Sequence, residues 1–165
     1  MAQLPEYKLQ TLFNIRERSK KAAEDAYAKE QKKVAAAENQ LKTMQKTLEA
    51  MKASRDQKRL EYADAMQKEV MTIEKIDINN RYLEMLVEKE AAYEVEINKQ
   101  IAVVLQAKKI AKEALDKMLV ATQEFKTLEK HREQWLKEVK KGIEKKEDEE
   151  GDEISQAQYF SRMKE

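Results

Sequence analysis

From Glu6 to Lys141 the chain contains neither glycine nor proline; Pro5, Gly142 and Gly151 are all it has. An average globular sequence carries roughly 7% glycine and 5% proline, placed where the backbone must turn sharply. A stretch this long without either cannot supply the turns of a sheet or a compact many-helix bundle. It suits long helices. Charged residues make up 39% of the 165 residues, and aromatics only 6%. Much of the apolar remainder is alanine, which favours helix but buries little area.

A helical stripe runs through this background. On the first half it passes from Leu9, Phe13, Arg16, Lys20, Ala23 and Tyr27 to Leu48, Met51, Arg55, Lys58, Tyr62, Ala65 and Glu69. On the second it resumes at Asn80, Leu83, Val87, Glu90, Glu94, Ile97, Ile101, Val104 and Lys108 and continues to Arg132, Leu136, Val139 and Ile143. Alternating steps of four and three over so many heptads are the mark of a coiled coil. Between the halves, "EVMTIEKIDINNRYLEML" (69–86) gathers β-branched Val70, Thr72, Ile73, Ile76 and Ile78 ahead of Asn79 and Asn80. The chain turns there. Folding it so that Leu48 faces Ile101 sets Arg55 against Glu94, Lys58 against Glu90, Lys20 against Glu129 and Phe13 against Leu136. Opposite charges at these seam positions fix the register, because an unpaired charge there is desolvated without return. Leu41 against Lys108 and Arg16 against Arg132 are left as misfits.

The expected fold is therefore all-α, a long antiparallel two-helix coiled-coil hairpin. Helix one spans about 6–70, the tip about 70–79 and helix two about 73–148, so that residues 1–150 form the coiled coil. Pro5 suits a first helical turn. Thr72, or Asp77, caps helix two. Residues 151–165 form a frayed tail or a short helix. Each arm is on the order of 100 Å long at 1.5 Å per residue.

The same residues limit function. With 33 basic and 32 acidic side chains there is no cationic surplus for nucleic acid. No apolar run spans a membrane, and no leader of signal-peptide character opens the sequence. There is no cysteine, and His131 is the sole histidine. No phosphate loop, metal set or catalytic constellation can be assembled, so the chain is expected to be non-enzymatic and free of cofactors.

What remains is surface for protein partners. At the tip, Val70, Met71, Ile73, Ile76 and Ile78 exceed what two helices can cover, and either fold inward or dock another protein. Tyr62, Met66, Tyr82, Met85 and Leu86 lie nearby; Tyr62 is also a seam position. At the other end Leu12, Arg16, Arg18, Lys20, Arg132 and Trp135 come together. Trp135 either packs onto helix one or anchors in a partner, whereas the converging Arg16, Arg18 and Arg132 call for an acidic partner. Lys32, Lys33, Lys145 and Lys146 read as solvated faces.

Two blocks carry a resemblance. Tyr7, Leu9, Leu12, Ile15, Arg16 and Glu17 form a "Y-x-L-x-x-L-x-x-I-R-E" pattern, and "HREQWLKE" (131–138) precedes the run "KKGIEKKEDEEGDE". With the central break, this resembles the YscO/FliJ family of type III secretion stalk proteins, its chlamydial CdsO-like members in particular. The resemblance implies a cytoplasmic stalk peripheral to the inner-membrane apparatus, monomeric in isolation. Its termini would sit in a hexameric secretion ATPase, and its hairpin side would reach the cytoplasmic domain of the export gate. Some members also bind export chaperones. By position, the ATPase-binding set is Leu12, Arg16, Arg18, Lys20, Arg132, Trp135 and Lys137; the export-gate-binding set is Tyr62, Met66, Tyr82 and Leu86. The alternative is a self-associating structural coiled-coil spacer.

Overall fold

The computed structural model describes residues 3–164. Helix α1 spans Gln10–Lys68 and helix α2 spans Ile73–Met163. The two pack against each other as a helical hairpin. One compact unit combines Met1–Asp25 with Leu115–Glu165, and the other is Ala26–Ala114.

The turn between the helices is shorter than the sequence suggested. It occupies 69–72, not about 70–79, and Asp77, Asn79 and Asn80 lie inside α2. The Glu69 amide donates to the Ala65 carbonyl, closing α1, and the Ile76 amide donates to the Thr72 carbonyl. Thr72 is the N-cap, its hydroxyl accepting the Lys75 amide at 3.3 Å. Met71 and Ile76, half-buried, hold the two positions of a hydrophobic staple. Among the described residues no backbone adopts a positive φ. That is how a sequence without glycine here can reverse direction.

The other boundaries also differ from expectation. Pro5 does not open α1: residues 3–7 have no regular secondary structure, Lys8 and Leu9 form a turn, and the helix begins at Gln10, whose amide donates to the Tyr7 carbonyl. At the far end α2 does not stop near 148. It carries on through Gly151 to Met163, so the separate tail is part of the helix; Glu165 lies outside the described residues.

The α1 stripe from Leu9 to Ala65 is the buried or half-buried face of that helix, position by position; only Glu69, in the turn, falls outside it. On α2 the stripe is half right. Leu83, Glu90, Ile97, Val104 and Ala111 face inward, but between them lie Leu86, Tyr93, Gln100 and Ala107. The expected Val87, Glu94, Ile101 and Lys108 are exposed one position further on. Both phases share every second seam residue, so apolar content alone barely separates them.

The register shifts with it. Arg55 donates to Glu90 at 2.5 Å, not to Glu94, while Glu94 pairs with Lys52 at 3.3 Å. Lys58 bonds Glu61 on its own helix, and Lys20 lies 3.8 Å from Glu24. The helices are thus displaced by about one turn from the expected pairing. This removes both misfits, because Lys108 pairs outside the seam with Glu38, and Arg16 pairs with Glu124.

Thr72→Ala should destabilise the hairpin by about 1 kcal/mol in urea unfolding, through loss of the cap. A Cβ at Gly142 or Gly151 would meet nothing within 4 Å. Gly142→Ala with Gly151→Ala should therefore raise helicity by circular dichroism, each change favouring helix by about 1 kcal/mol.

Candidate interaction surfaces

The end of the hairpin that carries the chain termini is tied by aromatic rings. Tyr7, at the end of the irregular segment, is buried against Trp135 and His131, with ring centroids 5.0 and 5.8 Å away. Its hydroxyl is hydrogen-bonded to His131 Nδ1, accepting the phenolic proton when the imidazole carries its own on Nε2. Phe13 and Phe125 meet across the seam at 5.1 Å, and Leu9, Leu128 and Trp135 pack on this cluster. Two cations roof it. The Arg132 guanidinium stands 4.8 Å above Phe13, and Lys20 Nζ lies 5.1 Å from the Phe125 centroid. Such contacts contribute about 0.5–1 kcal/mol where solvent reaches them.

This geometry divides the residues assigned to that end. Arg16 is held by Glu124, Lys20 and Arg132 by phenylalanine rings, and Trp135 by Tyr7. Arg16 and Arg132 therefore find partners within the chain, and the convergence of like charges does not by itself demand an outside acid. Leu12, Arg18 and Lys137 are exposed. Tyr7 and Phe125 are the anchors that sequence reasoning passed over. Tyr7 precedes the heptads and Phe125 reads as one seam residue among many, so only the clustering of aromatics near both termini hinted at them.

Near the tip, Tyr62 and Tyr82 meet edge to face at 6.5 Å. Tyr62 and Leu86 are half-buried in the seam; Met66 and Tyr82 are exposed. Val70, Ile73 and Ile78 point into solvent, with Val70 fully exposed and Ile73 at 86%. Of the five apolar tip residues, Met71 and Ile76 turn inward and the other three stay exposed. Beside it, the hydrogen bond and charge of Glu61 hold the Lys58 ammonium above its usual range.

The seam holds one buried charge. Glu90 is 4% exposed and Arg55 is its partner, yet Glu90 Oε1 and Arg55 Nε have no hydrogen-bond partner. Among the described residues no His/Cys/Asp/Glu group is arranged to hold a metal ion, and no helix is long and apolar enough to cross a membrane.

Two long helices packed as a hairpin, with no strand among the described residues, define an all-α helical protein. The family model for YscO-like protein matches residues 4–165, and the chain belongs to that family, whose members are generally non-enzymatic proteins associated with type III secretion. Its fold is similar to the solved structure of a YscO homolog, CT670 from Chlamydia trachomatis, with a TM-score of 0.75 at 20% identity, covering 98% of this chain and 99% of that one. No curated protein matches the chain.

Breaking the buried pair should be costly. Arg55→Leu or Glu90→Leu alone should destabilise the hairpin by about 3 kcal/mol, while the double leucine variant should be near neutral or more stable. Urea unfolding of the four proteins in a double-mutant cycle measures this.

Proposed function

We propose that this protein is a non-enzymatic central stalk of a type III secretion apparatus, working on its cytoplasmic face. Family membership over residues 4–165 carries the reading. The end that bears the termini enters a hexameric secretion ATPase, and the tip reaches the cytoplasmic domain of the export gate.

The physical case rests on stiffness and unequal contact. The aromatic cluster fastens the N-terminal segment to α2, so this end enters a ring as one body. A rod off the ring axis touches some subunits more than others and biases their conformations by the difference in contact energy, without a catalytic group of its own. Leu12, Arg18 and Lys137 are the exposed side chains available for that contact, and the two cations favour acidic loops. Arg16, Lys20, Arg132 and Trp135 hold the shape behind them. At the tip, Val70, Ile73 and Ile78, with Met66 and Tyr82, offer an apolar surface of the kind that docks in a protein groove. Tyr62 and Leu86 act there by supporting Tyr82 and the seam. Export chaperones are a further class of partner for this exposed helical surface.

Arg18→Glu with Lys137→Glu should cut stimulation of the cognate hexameric ATPase about fivefold or more, the loss weakening as salt rises, with the helical circular dichroism unchanged. Full stimulation by that variant would overturn the assignment of this end to the ring.

A further inference from the structure

Every described residue of α2 beyond Ile143 is exposed, so among the described residues the last turns form a helix with no buried packing face. Isolated helices are marginal in water, and tertiary contact normally sustains them. Large apolar side chains lie on this segment all the same: Tyr159 and Phe160 are 61% exposed and Met163 67%. Its charges are sorted along the axis. Lys137, Lys140, Lys141, Lys145 and Lys146 come first, with Glu138 and Glu144 among them, then the acidic run Glu147, Asp148, Glu149, Glu150, Asp152 and Glu153. Among the described residues, none of these charges enters an ion pair.

Helical steps of about 100° per residue place Lys141, Lys145, Glu149, Asp152, Tyr159 and Met163 on one face. The half-buried Arg132, Leu136, Val139 and Ile143, which face the rest of the hairpin, lie on nearly the opposite side. A helix can therefore approach the charged face without disturbing the hairpin.

We propose that this face is a pairing surface for a second copy of the same chain, with the two α2 segments antiparallel about a two-fold axis between Lys145 and Glu149. In that arrangement Lys145 of each copy meets Glu149 of the other, and Lys141 meets Asp152. Four ion pairs form from charges left unmatched in the single chain. Tyr159 and Met163 then lie across the second copy near His131 and Gln134. A parallel arrangement would set lysine on lysine and carboxylate on carboxylate, so charge selects the antiparallel one. The pair is a reversible form of the free protein and departs from the expectation of a monomer in isolation. It does not depend on the stalk reading.

Sedimentation equilibrium of the full chain tests this. The wild-type protein should show a monomer–dimer equilibrium up to about 200 μM, weakened about tenfold or more between 50 and 500 mM salt. Lys141→Glu with Lys145→Glu should remove the dimer. Glu149→Lys with Asp152→Lys should remove it equally, because each variant then carries one sign at all four pairing positions. Mixing the two variants should restore a heterodimer tighter than wild type. Single spin labels at Asp148 should lie within about 15 Å of each other in the dimer, and labels at Gln156 about 27 Å apart along the axis. Dimerisation that survives both charge reversals, a mixture that stays monomeric, close labels at Gln156, or a wild-type protein monomeric throughout would each overturn the proposal. Circular dichroism of the variants separates loss of pairing from loss of helix.

Discussion

Two helices share a single seam, and here that seam contains no side chain that is fully shielded from water. A third layer would bury the outer faces; without one, every stabilising contact must come from one strip of residues. Alanines and half-covered lysine and glutamate stems fill much of it, so each layer contributes little and length supplies the total. Specificity therefore falls on a few places. The aromatic cluster at the termini and the Arg55–Glu90 pair set how the helices align, the first by shape and the second by the cost of leaving either charge alone.

Much of this was written in the sequence. The lack of helix breakers and the inward face of α1 followed directly from residue type and spacing, whereas the structure decided between Thr72 and Asp77 as the cap. The α2 face was harder, because Val87 competes closely with Leu86, and Ile101 is more apolar than the Gln100 that faces inward. Charge matching chose the right seam residues in Arg55 and Glu90 but gave them the wrong partners. A salt bridge constrains the meeting of side-chain tips, and long flexible side chains permit several backbone alignments to satisfy it. The run of α2 through Gly151 was also hidden. Glycine lowers helix propensity by about 1 kcal/mol but does not end a helix unless the backbone takes a left-handed turn, and none is taken here.

The candidate surfaces were legible as clusters but not as roles. Sequence proximity gathered Arg16, Lys20, Arg132 and Trp135 correctly at one end, yet could not tell a side chain facing outward from one folded onto a ring. The structure makes that distinction, leaving Leu12, Arg18 and Lys137 as the outward members. The same sorting occurs at the tip, where alternate apolar residues close the turn and the remainder face solvent. Membership of the YscO-like family gives those exposed surfaces a setting in type III secretion.

The four-residue connection at 69–72 bears on how the molecule assembles. Closing so short a loop costs little chain entropy, so the layers beside it are the cheapest for the chain to bring together. The contact of Tyr7 with His131, 124 residues apart along the chain, closes a far longer loop and carries a larger entropic cost. The aromatic burial of Tyr7, Phe13 and Phe125 therefore falls where the chain entropy of pairing is largest, and it offsets that cost.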